Sequence, residues 1–103
     1  MNKLSKVCLI ANSIISNSSI PRPQAFKKAW EVVENEDLFV IRFQKKGETK
    51  ITQRVVCEDF EKYHIFAGGP TKNPYRKFVD IGKALANIFP AIIAPANLLE
   101  ILK

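Results

Sequence analysis

Few side chains in this sequence are of the kinds that carry out covalent or metal chemistry. The chain has one histidine, His64, and two cysteines, Cys8 and Cys57, which stand far apart. A structural zinc site needs four ligands, commonly with a Cys-x-x-Cys pair, and that spacing is absent. No nucleophile or carboxylate stands at a useful spacing from His64, so we interpret it as a half-exposed strand histidine. We therefore predict no metal, no cofactor and no catalytic residue, and both cysteines as buried free thiols.

A glycine-rich segment has the composition of a phosphate-binding loop but not its spacing. The segment reads Gly68-Gly69-Pro70-Thr71-Lys72, whereas the Walker pattern requires Gly-Lys-Ser/Thr after a longer glycine-bounded loop. We predict that residues 68–74 form an ordinary turn between strands.

Basic side chains give the clearest functional signal. The chain carries a formal net charge of +6 at pH 7, and such a surface attracts polyanions such as nucleic acid. Alternation of apolar and polar residues predicts a β-hairpin with strands over Leu38–Gln44 and Thr49–Glu58. Lys45-Lys46-Gly47 is then a three-residue loop in which Gly47 adopts a positive φ.

The predicted register of this hairpin creates a cluster of positive charge. Cross-strand partners must share a face, which is satisfied by pairing Phe43 with Thr49 and Ile41 with Ile51. Arg42 and Lys50 then become direct neighbours on the outer face. We call the resulting set the predicted basic cluster: Arg42, Lys45, Lys46, Lys50 and Arg54. It has two interpretations, a solvated edge on which lysines discourage aggregation and a binding patch for nucleic acid.

Helical spacing predicts two helices in the first third of the chain. Apolar residues recur at helical intervals over Leu4–Ile15 and again over Ala25–Val33. The second helix is expected from about Pro23 to Glu34, with proline suited to its first turn. Within it, Trp30 is predicted to be a core anchor that joins the helical pair to the sheet.

The helical pair also raises the question of a DNA-binding helix-turn-helix. That motif joins its helices by a turn of ~3–4 residues, whereas the predicted gap from Ser16 to Pro21 is longer. The second helix is also expected to use Phe26 and Trp30 for packing. DNA recognition through this helix is therefore disfavoured.

The second half of the chain is less regular. A further strand is predicted over Glu61–Ala67. Residues Lys77–Phe89 fit two structures equally well, a helix or a hairpin that turns at Gly82-Lys83. The short apolar segments Ile92-Ile93 and Leu98–Leu102 are expected to pack back on the core.

These elements together predict one α+β domain over residues 1–103, with a helical pair in 1–35 and a β-rich part in 38–103. The sheet is expected to be small, curved and antiparallel, with closure into an SH3-like barrel left open. No apolar run approaches the ~18 residues of a membrane helix, and the apolar run near the N-terminus is too interrupted for a signal peptide. We therefore expect a cytoplasmic protein.

Two groups of residues resemble known families. Leu4-Ser5-Lys6-Val7 followed by Ala25-Phe26-Lys27-Lys28-Ala29-Trp30 resembles the helical motif at the start of many small phage and mobile-element proteins. The segments Val40–Thr52, Lys72-Asn73-Pro74 and Phe78–Phe89 resemble small SH3-like β-barrel proteins carried by phages of gut bacteria.

The resemblance implies a non-catalytic accessory protein of a phage or mobile element. Such a protein would bind nucleic acid or a nucleoprotein complex through the basic hairpin. The alternative is a protein–protein module that inhibits or redirects a host factor, such as a defence or transcription component. Oligomeric state does not follow from either.

Overall fold

A computed structural model describes residues 2–63, 76–88 and 91–103. The described helices are α1 (Lys3–Asn17), α2 (Arg22–Asn35) and α3 (Ile81–Leu85), and the strands are β1 (Phe39–Gln44), β2 (Ile51–Cys57), β3 (Phe78–Asp80), β4 (Ile92–Ile93) and β5 (Asn97–Leu102). The strands form one antiparallel sheet. The chain is therefore an α+β protein with an N-terminal helical pair, as the sequence predicts.

Local sequence signals explain where the first two helices begin. The side chain of Asn2 accepts a hydrogen bond of 2.8 Å from the Ser5 N–H and caps α1. Helix α2 begins at Arg22, and Pro23 lies in its first turn, where the missing N–H costs no helical bond. The connection, residues 18–21, is shorter than the predicted gap. Its length therefore gives no argument against a helix-turn-helix.

Trp30 is not the core anchor that the spacing predicts. Trp30 is 38% exposed, while the buried residues of α2 are Ala25, Ala29, Val32 and Val33. Trp30 follows Ala29 by one position, which turns its side chain about 100° around the helix, away from the buried stripe. The small alanines, rather than the large aromatic ring, occupy the core-facing positions of this helix.

The hairpin forms between the predicted segments, but its predicted register is wrong. Phe43 pairs with Thr52 and not with Thr49, and Ile41 pairs with Arg54. The shift is three positions, an odd number, so each residue of β2 faces the side opposite to the predicted one. The observed register places Val40 opposite Val55, and both are buried under the helices. Burial of this pair fixes the register more strongly than the loop does.

The hairpin loop, residues Lys45–Lys50, is longer than predicted and contains a defined turn. The Glu48 N–H donates to the Lys45 carbonyl at 3.0 Å. Gly47 has φ 82°, which confirms its predicted left-handed conformation and fits the third position of a type II turn. The Gln44 side-chain amide donates to the Thr49 carbonyl at 3.0 Å and ties the rest of the loop to β1.

The sheet is curled but not closed. Its strand order is β4-β3-β2-β1-β5, so the two edge strands are consecutive in the chain. A flat sheet of this width would separate its edges by ~19 Å, whereas the four steps from Ile93 to Asn97 span at most ~14 Å. The sheet must therefore bend. Within the described residues β4 and β5 do not pair, so closure into an SH3-like barrel is not found.

Both faces of the sheet carry a core. On one face, strand residues such as Val40, Val55 and Cys57 pack with residues of all three helices. On the other face the described cluster contains only strand residues: Ile41, Phe43, Val56 and Phe78, with Phe39, Ile93 and Leu98 packed around them. Every strand contributes to this second cluster, because the curl of the sheet brings all five around it.

The region after β2 differs from its prediction. Residues 61–63 form a turn and not the start of a strand; the remainder of that predicted strand, residues 64–67, lies outside the described residues, as do His64 and the loop 68–74. The Lys62 N–H donates to the Asp59 carboxylate at 3.0 Å and stabilises the turn.

The two structures predicted for residues 77–89 are each partly correct. A short strand, β3, leads directly into the short helix α3. Gly82 lies inside this helix, so a hairpin turning at Gly82-Lys83 is wrong. The Asp80 side chain accepts a hydrogen bond from the Lys83 N–H at 3.4 Å and caps the helix. An N-cap residue at this position favours a helix over a hairpin turn.

The cysteines are both free. Cys57 is buried, as predicted, and Cys8 is half-buried. Burial raises the pKa of the Cys57 thiol. Among the described residues, no helix has the length and apolar character needed to cross a membrane.

Candidate nucleic-acid interface

The predicted basic cluster is divided between three environments. Lys45, Lys46 and Lys50 lie in the exposed hairpin loop. Arg42 stands opposite Gln53, whereas Arg54 stands opposite Ile41. Because directly opposite residues share a face, the two arginines lie on opposite faces of the sheet. The predicted contact between Arg42 and Lys50 is therefore wrong.

Arg42 is matched by an acidic partner within the chain. Its Nη1 lies 3.1 Å from Oε2 of Glu100 on β5, and both side chains are partly exposed. Its Nε is buried and has no hydrogen-bond partner among the described residues. The charge of this arginine is thus directed along the sheet toward β5 and not toward the hairpin loop.

Arg54 lies beside a buried carboxylate. Its Nε lies 4.0 Å from Oδ2 of Asp80, which is 3% exposed, and its Nη1 donates to the Gln53 carbonyl at 2.8 Å. A buried carboxylate needs nearby compensation, and Asp80 also caps α3. We therefore assign Arg54 to the structural support of Asp80.

The three loop lysines are the part of the cluster that remains available to a partner. Within the described part of the chain, the ammonium groups of Lys45, Lys46 and Lys50 take part in no ion pair or hydrogen bond. Glu48 is the only acidic residue of the loop. The loop is a site of uncompensated positive charge, and its turn holds the three side chains on one short segment.

The opposite end of the hairpin is acidic and internally paired. Glu36 and Asp37 precede β1, and Glu58 and Asp59 follow β2. A six-residue strand separates them from the hairpin loop by ~20 Å. Lys62 pairs with Glu36 at 3.1 Å, and Arg76 pairs with Glu58 at 2.6 Å. Ion pairs neutralise much of this end, while the loop keeps its charge.

Tyr63 adds a hydrogen bond to the acidic end. Its hydroxyl donates to the Glu36 carboxylate at 2.8 Å. Burial and this hydrogen bond raise the pKa of Tyr63, so the hydroxyl stays protonated and continues to donate across the physiological range. This contact joins the end of α2 to the turn that follows β2.

The exposed face of α2 is poorly suited to contact a nucleic-acid backbone. It carries Arg22 and Lys27, but also the exposed carboxylates of Glu31 and Glu34. Carboxylates on the face that approaches a groove would be repelled by phosphates. This charge pattern, and not the length of the connection between the helices, argues against a helix-turn-helix mode.

Two features of the surface escape prediction from sequence. The first is the exposed indole of Trp30. The second is a cleft of about 230 Å³ between α1 and β2. Its polar lining includes Asn12, Ser13, Ser16, Asn17, Gln53, Arg54 and Asp80. The one available signal for the cleft was the polar residues that interrupt the apolar spacing in the second half of α1.

Among the residues that the structure describes, no group of three or more His, Cys, Asp and Glu side chains could hold a metal ion. Comparison with protein-family models, with curated proteins and with solved structures finds no match for this chain.

Proposed function

We propose that this chain is a small non-catalytic protein that binds nucleic acid, alone or within a nucleoprotein complex, through the hairpin loop. The observation that carries the proposal is the exposure of Lys45, Lys46 and Lys50 without an internal ion pair. An accessory protein of a phage or mobile element, which the family resemblance implies, would use such a loop to reach phosphates. Arg42 and Arg54 are excluded from the phosphate-contacting set, because carboxylates of the chain already face them.

The hairpin loop favours nucleic-acid binding that depends little on base sequence. Lysine ammonium groups act as point charges, and contacts to phosphates position a protein without identifying bases. Binding releases counterions, so affinity falls as salt rises. Three phosphate contacts predict a log–log slope of about −3 for duplex DNA and about −2 for single strands.

The test replaces the three loop lysines by glutamine, as Lys45→Gln, Lys46→Gln and Lys50→Gln in one chain. Glutamine keeps much of the side-chain length and removes the charge. Labelled oligonucleotides of several sequences are titrated at several salt concentrations. We expect the parent to bind all sequences similarly, and the variant to lose most of the affinity and most of the salt slope.

A matched control separates the loop from net charge. Lys3→Gln, Lys27→Gln and Lys28→Gln remove the same number of charges from α1 and α2. This variant should bind nearly as well as the parent. Equal weakening by both triple variants, or no binding by the parent at low ionic strength, would contradict the proposal.

The exposure of Trp30 favours a second candidate, a protein–protein module that inhibits or redirects a host factor. Tryptophan is enriched among residues that dominate binding energy at interfaces. Trp30 is 38% exposed, and one turn earlier Phe26 lies 5.4 Å from the guanidinium carbon of Arg22. An aromatic surface with Arg22 at one end and the carboxylates of Glu31 and Glu34 at the other fits a partner protein whose rim carries both charges.

Purification distinguishes the two candidates. A nucleic-acid binder carries a raised 260/280 nm absorbance ratio at low salt and loses it at high salt. A module that binds a protein would not raise the 260/280 nm absorbance ratio. It would instead retain one host protein that is lost with Trp30→Ala and kept by the triple lysine variant.

A further inference from the structure

The exposed face of α2 carries its charges in an order that the dipole of the helix does not favour. Acidic side chains are stabilising near the N-terminus of a helix and basic ones near the C-terminus. In α2 the first turn has no acidic residue and the last turn has no basic one. Instead, the N-terminal half carries Arg22, Lys27 and Lys28, and the C-terminal half carries Glu31 and Glu34. All of these residues are exposed except Lys28, which is half-buried.

The charges of this face have no counterions within the chain. In the part of the chain that the structure describes, none of the five takes part in an ion pair. Lys27 and Glu31 are four positions apart, but the basic residue comes first, which is the less favourable order for a pair on one helix. The guanidinium carbon of Arg22 lies 5.4 Å from the centre of the Phe26 ring, a contact that does not neutralise its charge.

Two aromatic side chains lie between the charged ends of this face. Arg22, Phe26, Trp30 and Glu34 follow one another at intervals of four residues, so they form one ridge along the helix. Phe26 is half-buried against the core, whereas Trp30 is 38% exposed. The ridge therefore runs from a positive end, across an aromatic centre, to a negative end.

We propose that two copies of this chain associate through α2, with the two helices antiparallel about a two-fold axis. In the commonest class of helix packing, ridges of residues spaced by four interdigitate. Two such ridges that run in opposite directions place Phe26 of one copy beside Trp30 of the other, and Arg22 beside Glu34. A two-fold interface requires a self-complementary surface, and the order of residues along this ridge meets that requirement.

The charges favour a second copy as the occupant of this face. The neighbouring ridge contains Lys27 and Glu31, and the same arrangement sets Lys27 of each copy beside Glu31 of the other. The acidic half of each helix then lies beside the N-terminus of the other helix, which the dipoles also favour. One contact thus supplies counterions for the exposed charges and covers Trp30. A host protein, the second candidate named above, would compete for this face and would have to present the same pattern of charge.

The first test measures the oligomeric state of protein that has been freed of nucleic acid. A single helix face buries less area than a standard interface, so sedimentation or light scattering should show a dimer that dissociates on dilution. A tenfold rise in salt should raise the Kd by about tenfold, because the ion pairs between the copies are exposed and are screened. A parent that is monomeric at every concentration at low salt, or a dimer that salt does not weaken, would overturn the proposal.

The second test exchanges the charges of the face. Arg22→Glu with Lys27→Glu makes its exposed charges all acidic, and Glu31→Lys with Glu34→Lys makes them all basic. Both changes follow the helix dipole, so each variant should stay folded, and each should be monomeric by itself. An equal mixture of the two should form a heterodimer, because opposite charges then meet along the whole contact. A homodimer of either variant, or a mixture that stays monomeric, would refute the antiparallel packing.

A control variant separates the charge of this face from the net charge of the chain. Glu48→Lys with Glu61→Lys adds the same charge as the basic variant, at exposed residues outside α2. This control should dimerise nearly as the parent does. Loss of the dimer in the control as well would show that net charge, and not the face of α2, governs association.

The fluorescence of Trp30 gives an independent readout, since it is the only tryptophan of the chain. Covering the indole should shift its emission to shorter wavelength as the protein concentration rises, in step with the increase in mass. The two charge variants, measured separately, should keep the emission of the dilute parent. A dimer whose formation leaves the emission unchanged would contradict an interface on α2.

Discussion

Gly82 is the position where a single methyl group should most clearly test the packing of α1 on α3. A Cβ added there would lie 2.5 Å from Ser13 Cβ and even closer to Ser13 Oγ. In an unobstructed helix, Gly→Ala stabilises by ~1 kcal/mol. Here the two helices must separate to admit the methyl group, and overpacking of this kind costs ~1–3 kcal/mol. Because two Ser13 atoms obstruct the methyl group, we take the upper part of this range, ~2–3 kcal/mol, and expect Gly82→Ala to be net destabilising by ~1–2 kcal/mol, with the opposite sign to helix propensity.

The assay is a double-mutant cycle measured by urea and thermal unfolding. Each kcal/mol should lower the Tm by ~4–8 °C for a domain near this size. Ser13→Gly alone loses some helix propensity. In the Ser13→Gly, Gly82→Ala double variant the obstruction is gone, so the second change should no longer destabilise, and the two effects should be clearly non-additive. A Gly82→Ala variant as stable as the parent would show that these helices are not in contact at this point.

Three further predictions concern individual side chains. Trp30→Ala should remain folded with a cooperative melt and lose clearly less than the ~3–5 kcal/mol of a buried aromatic truncation; an unfolded variant would contradict its exposure. Gly47→Val should be less stable than Gly47→Asn by ~1 kcal/mol in urea unfolding, since nothing obstructs a Cβ there and only the positive φ penalises the β-branched residue. Because the pKa of Tyr63 is raised on folding, its contribution is complete below pH ~10, the value for unfolded tyrosine, and is lost as pH rises further. Tyr63→Phe should therefore cost ~1–2 kcal/mol at neutral pH, and this difference should shrink in unfolding measurements above pH ~10.

The helices and the fold class could be predicted because their signals are local. The apolar spacing, with Pro21 and Pro23 at the start of α2, specifies the first two helices over nearly the observed ranges. The alternation of apolar and polar residues predicts the two hairpin strands, and the conformation that the turn requires predicts the positive φ of Gly47. The hairpin register could not be obtained in this way, because it depends on burial of Val40 and Val55 beneath helices that are distant in sequence. The prediction for Trp30 is wrong for a related reason. Helical spacing alone does not show whether the stripe of alanines on α2 or the neighbouring stripe of aromatic residues faces the core.

Part of the candidate site can be predicted from the sequence, again because the signals for that part are local. Exposure of the three loop lysines follows from their place in a turn. The partners of the two arginines do not follow, because Glu100 and Asp80 reach them only through β5 and β3. For segment 98–102 the sequence predicts only packing back on the core, because its strand character depends on pairing with β1. Long-range pairing therefore decided which basic residues remain free.

The pairing of β1 with β5 has a kinetic consequence. Arg42 and Glu100 are 58 positions apart in the chain, whereas α1 with α2 and β1 with β2 are formed by neighbouring segments. Closing a long loop costs conformational entropy before its contacts give any return, and such non-local pairing slows folding. The helical pair and the hairpin can therefore form first, with β5 adding last to one side of β1. Until it does, β1 itself presents an unpaired edge with apolar residues on both faces, and this interval is when the chain is most exposed to aggregation.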